Sequence, residues 1–75
     1  MKAQDLEDRI RKAYPDAQVA VLDSRGSGDY FEIRISSSEI NKLSRIQRHQ
    51  TILKLFDHEF KTGELHALSV KPLEL

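Results

Sequence analysis

Cysteine is missing from all 75 residues, and that absence closes several routes at once. No disulfide can brace the fold, and no thiolate can act as a nucleophile or hold a metal. The lack fits a reducing compartment, and the expected location is the cytoplasm, or an organellar matrix if the source is eukaryotic. No apolar run approaches the roughly 20 residues that a membrane-spanning helix needs. The start Met1-Lys2-Ala3-Gln4-Asp5 also lacks the apolar core of a signal peptide, so a soluble chain is expected. Net charge is missing too. Twelve basic and twelve acidic residues cancel, which argues against nucleic-acid binding through total charge. Signatures of catalysis are equally scarce: no glycine-rich phosphate loop follows a strand, and no nucleophile elbow surrounds Ser36-Ser37-Ser38 or Ser44. Asp57 and Glu59 point to different helix faces and make a poor acid–base pair. No enzyme is expected.

What remains suits one small domain over residues 1–75. A chain of this length buries roughly 60% of its unfolded surface, so its stability should be marginal. Ala3, Leu6, Ile10 and Ala13 recur at three and four, which predicts an amphipathic helix over 2–14 with an Asp8–Lys12 pair on its exposed face. Pro15 stops it. Gln18–Leu22 reads as a strand, and Tyr30–Ser36 reads as a clearer one, with Phe31, Ile33 and Ile35 alternating with Glu32 and Arg34. The connection Asp23-Ser24-Arg25-Gly26-Ser27-Gly28-Asp29 exceeds a tight hairpin turn and has the composition of a flexible or ligand-approaching loop. Ser36–Glu39 signals a short helix or turn over 38–41. Ser44-x-x-Gln47 is a capping box that should open a long helix running to about Phe60 or Lys61. Ile46, His49, Leu53, Phe56 and Phe60 would share one face of that helix. Gly63 ends it in a left-handed cap, and Leu65–Lys71 forms the last strand, with Pro72 ending its pairing.

The order is helix, strand, strand, helix, helix, strand. A crossover through helices makes the last two strands parallel, so the expected fold is α/β (more strictly α+β): a three-stranded mixed sheet with helices on one face.

Gln47-Arg48-His49, followed by His66-Ala67-Leu68-Ser69-Val70-Lys71, resembles the signature pair of the BolA-like family, and the resemblance covers nearly the whole chain. It implies a class II KH-like fold and a partnership with a monothiol glutaredoxin in iron–sulfur cluster assembly, trafficking or iron regulation. It also implies that His66 is the metal ligand to a [2Fe–2S] cluster shared with that partner. Without cysteine this chain cannot satisfy a cluster alone, so the partner must supply thiolates. The family's second ligand, a Cys or His in the loop, falls here on Ser27 or on or beside Tyr30. The implied cluster is then labile at best, held by His66 alone or with Asp29, or replaced by an apo-type complex. Gly26-Ser27-Gly28 would be the flexible loop over the cluster, with Arg48, His49, Ala67 and Leu68 on the docking face. The chain is expected to be monomeric alone and heterodimeric with its partner.

His49 otherwise reads as a boundary side chain with one nitrogen hydrogen-bonded, and His58 reads as solvated. The runner-up function uses charge. Lys42, Arg45, Arg48 and Lys54 fall in a stretch from Ile40 to Phe56 that contains no carboxylate. Lys42, Arg45 and Arg48 at a helix start would favour anions and make the chain a DNA-binding transcriptional regulator, as the resemblance also allows. The turn Ile40–Ser44 lacks the G-x-x-G of nucleic-acid-binding KH domains, however, and the plainer reading is a solvated basic face.

Overall fold

Apolar alternation in the middle strand sets the architecture. In the computed structural model, which describes residues 1–74, that strand is β2 (Tyr30–Ser36), and Phe31, Ile33 and Ile35 are all buried on one of its faces. It pairs antiparallel with β1 (Gln18–Asp23) and parallel with β3 (Ala67–Pro72), giving a three-stranded sheet in the order β1-β2-β3. The register sets Val19 beside Ile35 and Leu68 beside Phe31, so all three strands send apolar side chains to the same face. Leu22, Arg34, Ser69 and Lys71 occupy the opposite face and are exposed. Helices therefore cover one side of the sheet only.

Helix α1 (Ala3–Ala13) contributes Leu6 and Ile10, both fully buried. Each such side chain stabilises the fold by about 1.5–3 kcal/mol. The surface pairs of α1 differ from the expected Asp8–Lys12 contact: Asp8 accepts from Gln4, and Arg11 pairs with Glu7. All of these are neighbours at i,i+4, and the choice among them falls to local rotamers. After β2, Asp16 accepts the Ser38 amide at 2.9 Å and Ser37 Oγ accepts the Ile40 amide at 3.2 Å. These contacts fix a 3-10 turn at Ile40–Lys42, slightly beyond the expected 38–41, which drives Ile40 fully into the core. Ser44 then caps helix α2 (Arg45–Lys54) with the reciprocal Ser44–Gln47 box.

The long helix expected to reach Phe60 is instead two. The Leu55 and Phe56 amides bond to carbonyls only three residues back, tightening the last turn of α2, and α3 (Asp57–Thr62) restarts after Phe56. The break turns Phe56 fully inward. It also undoes the expected five-residue stripe: Ile46 is 70% exposed, and Ile52, absent from that series, is the fully buried residue of α2. Gly63, at φ 84°, makes the expected left-handed cap. Leu65 does not begin the strand; it is buried in the core, and its amide closes onto the Glu59 carbonyl. Pro72 is the last residue of β3, yet pairing runs one bond further, from the Leu73 amide to the Ile35 carbonyl.

A partly buried ion pair ties the two ends of the fold together, with Glu59 inside and the Arg9 side chain 39% exposed. The Arg9 guanidinium meets Glu59 through two hydrogen bonds of 2.6 and 3.0 Å and also donates to the Leu55 carbonyl exposed by the helix break. It lies 5.0 Å from the Phe56 ring centroid. Arg9 holds the Glu59 carboxyl below its ordinary range, and Glu59 raises Arg9 in return.

Candidate functional site

His66 sits one residue ahead of β3, where the chain emerges from the core beside the β1–β2 loop. Its backbone amide donates to the Asp29 carbonyl at 2.9 Å, which locks the entry of β3 to the residue preceding β2. The imidazole is exposed, and its Nδ1 lies 2.9 Å from Asp29 Oδ2. Asp29 also accepts from the Ser27 hydroxyl, and that bond, followed by the one from His66, holds its carboxyl below the usual range. An ionised carboxylate only accepts, so Nδ1 carries the proton, and in the neutral ring the Nε2 lone pair is left for an outside group. Tyr30 flanks the imidazole with ring centroids 5.8 Å apart, and the Arg25 guanidinium lies 4.2 Å from the Tyr30 ring centroid. Arg25, Ser27, Asp29, Tyr30 and His66 thus form one cluster around a single available nitrogen.

The loop beside His66, for which Gly26-Ser27-Gly28 suggested flexibility, carries a set of hydrogen bonds to its neighbours. The Asp23 carboxylate accepts the Gly26 and Gly28 amides at 2.9 and 3.0 Å. Both glycines adopt left-handed angles, φ 72° and 76°. The Met1 ammonium donates to the Gly28 carbonyl at 3.1 Å, and a Cβ on Gly28 would stand 2.6 Å from the Met1 carbonyl oxygen. Ser27 reaches His66 only through Asp29, and its hydroxyl is a hard, weakly acidic donor. Among the described residues no three His, Cys, Asp or Glu side chains gather as a metal site. The cluster therefore offers a single imidazole ligand and no complete metal site.

Arg48 and His49 lie apart from this cluster. His49 is half-buried and lines a groove of about 390 Å³ between α2 and β3, with Ile46, Leu68 and Val70 beside it. Leu68 is buried, so of the expected docking residues on β3 only Ala67 is partly open next to His66. Arg45 and Arg48 join Arg34 and Lys71 around an adjoining cleft of about 700 Å³, which Glu74 also lines. Lys42 is exposed on the 3-10 turn and does not line the cleft. Glu32 pairs with Arg34 at 2.8 Å and Lys71 at 2.9 Å, and these contacts, Lys71's first, keep its carboxyl below the ordinary range. Arg48 Nε is buried with no hydrogen-bond partner.

Asp29, known from the sequence only as a spare donor, proves to be the residue that orients His66, and Arg25 and Tyr30 complete its surroundings. Their signal was adjacency to the start of β2, which faces the start of β3 once the strands are parallel. Arg34 and Lys71 were legible as outward positions on neighbouring strands, but their meeting with α2 was not.

Comparison with known proteins agrees with this architecture. The family model described as BolA-like protein matches residues 8–74. A Haemophilus influenzae protein of uncharacterized role is 34% identical over 71 residues, covering 95% of this chain and 80% of its own length. The BolA domain of SufE1 from Arabidopsis thaliana superposes with a TM-score of 0.80 at 28% identity, over 93% of this chain and 87% of that one. The solution structure of the BolA-like protein RP812 from Rickettsia prowazekii gives a TM-score of 0.70 at 27% identity, over 100% of this chain and 96% of that one.

Proposed function

This chain belongs to the BolA-like protein family, and from that premise we propose that it is an adaptor in iron–sulfur cluster assembly, trafficking or iron regulation. Its partner in this reading is a monothiol glutaredoxin, and a shared [2Fe–2S] cluster is the cargo. The observation that supports the reading is the state of His66: an exposed imidazole, held through Nδ1 by Asp29, with Nε2 free. Carboxylate-held histidines are what metal sites use, because the second partner fixes the tautomer and raises the basicity of the ligating nitrogen. Imidazole can replace thiolate on one iron of such a cluster, and thiolates from the partner would supply the remaining ligands. Asp29 and Tyr30 orient the ring, and the braced loop keeps that orientation without contributing a strong ligand of its own.

The test mixes the protein with a monothiol glutaredoxin, glutathione, iron and sulfide and records visible absorbance and circular dichroism. His66→Ala should change the spectrum of the mixed complex. Identical spectra for the two proteins would refute ligation by His66.

A nucleic-acid role for Lys42, Arg45 and Arg48 is the second reading, favoured by the way Arg34 and Lys71 join Arg45 and Arg48 around one cleft. Glu32 offsets two of those four cations, and Lys42 stands outside the cleft, so the support is weaker. Salt-dependent oligonucleotide binding that is lost on removing Arg45 and Arg48 would support it.

A further inference from the structure

We propose that the outer edge of β3 and the groove beside it receive an extended acidic segment of a partner protein, which adds to the sheet as a fourth strand. The backbone provides the first argument. The Ala67 and Leu73 amides donate to Asp29 and Ile35 on the β2 side. In a parallel ladder, alternate residues bond to the same neighbour. The Leu68 and Val70 amides and the Leu68, Val70 and Pro72 carbonyls therefore point away from β2, and β3 is the last strand of the sheet. Such a row of unpaired groups is a template for strand addition.

The side chains beside that edge define the added strand. On the helix side runs the groove lined by Ile46, His49, Leu68 and Val70, and Ile46 is 70% exposed there. An added strand would place alternate side chains in this groove, and they must be apolar. At the far end stand Arg45 and Arg48, with Glu74 lining the same cleft, while Lys71 on the open face of the sheet is already paired with Glu32. Arg45 and Arg48 are in no ion pair among the described residues, and Arg48 Nε has no acceptor, which leaves this end of the groove positively charged. No carboxylate lies between Ile40 and Phe56 to serve it from within α2. The free edge of β1 lacks this combination of apolar groove and cations. The inference is independent of cluster ligation by His66.

The test uses a labelled peptide of about eight residues alternating valine and glutamate, a length typical of strands. Fluorescence anisotropy measures binding, and amide hydrogen exchange followed by NMR reads the edge. The Leu68 and Val70 amides should slow about tenfold or more on saturation, since exchange then requires release of the added strand. Arg45→Glu with Arg48→Glu should weaken binding at least about tenfold, as expected for docked charges. Ile46→Glu, at a site too exposed to disturb folding, should weaken it as well. A peptide N-methylated at alternate backbone nitrogens should not bind. The proposal is overturned by any of four results. These are no slowing at Leu68 and Val70 at roughly millimolar peptide, equal binding by a valine–lysine peptide, preferential occupation of the groove by oligothymidylate, or self-association that protects the same amides without peptide.

Discussion

Replacing Asp29 by alanine isolates the one contact on which the orientation of His66 depends. In the native protein Nδ1 donates across 2.9 Å to a carboxylate that Ser27 also holds, so neutral His66 should be almost wholly the Nδ1–H tautomer with Nε2 unprotonated. Asp29→Ala removes both the acceptor and its anchoring. The backbone bond from the His66 amide to the residue 29 carbonyl survives, so β3 should still enter the sheet at the same place. The expected result is local: nitrogen NMR of the imidazole should move from one tautomer to a mixture, while the backbone spectrum away from residues 27–30 and 66 stays in place. Loss of a carboxylate behind a ligating histidine costs about 10–100-fold in metal affinity. An exposed ring belongs at the lower end, so a cluster shared with the glutaredoxin should decay about tenfold faster. The tautomer measurement needs no cluster. If native His66 proves to be protonated on Nε2, or if Asp29→Ala leaves the tautomer unchanged, the reasoning about Asp29 is wrong whatever the cluster does.

Other consequences follow from the same contacts. Glu59→Gln should cost about 1 kcal/mol in urea unfolding, because it leaves the partly exposed Arg9 guanidinium facing a neutral amide; a change below a few tenths would contradict the account of the ion pair. Asp16, Asp29, Glu32 and Glu59 all lie below their ordinary values in the fold, so the unfolded chain binds protons first on acidification. Their contribution is fully present above the ordinary carboxylate pKa of about 4 and is lost as pH falls through the lower folded values. Urea midpoints should therefore drop below about pH 4, and a rise there would reverse the sign of the argument. Gly26→Ala should cost about 1 kcal/mol for its positive φ alone. Gly28→Ala should cost clearly more, because its Cβ would also meet the Met1 carbonyl at 2.6 Å; equal melting temperatures would refute that difference. Ser27→Cys should lengthen the life of a cluster shared with the glutaredoxin, and equal decay rates would show that residue 27 is no part of the site.

Strand alternation at Phe31, Ile33 and Ile35, the Ser44 capping box and the Gly63 cap are local signals, and the structure contains each where the residues put it. The parallel pairing of β2 and β3 follows from the helical crossover between them, which is also a property of element order. The break at Leu55–Phe56 is different. Nothing in that dipeptide disfavours a helix; the break pays off only once Arg9, far away in sequence, caps the Leu55 carbonyl and Phe56 fills the core. The face of α2 was misread because Ile46 and His49 share a face that lines an open groove beside β3, while Ile52 enters the core. His66 was legible as a residue at the strand's mouth. Its hydrogen bond to Asp29 was not, since it spans 37 positions and depends on the parallel register.

The two surfaces joined by β3 also differ in kind. His66 precedes the strand, and Lys71 stands near its end; five residues of extended chain separate them by about 17 Å at roughly 3.3 Å each. Groups that far apart with no shared partner act additively, and their partners differ as well: Asp29 and Tyr30 at one end, Arg45, Arg48 and Glu32 at the other. At the His66 end, the Ser27 hydroxyl and His66 Nδ1 are both committed to Asp29, and Arg25 and Tyr30 pack beside the ring. The α2 end is built oppositely, with backbone groups, an exposed isoleucine and a buried guanidinium nitrogen all lacking partners. One end is finished apart from a single ligand position, and the other is an unfinished sheet. A protein gripping the first would leave the second open.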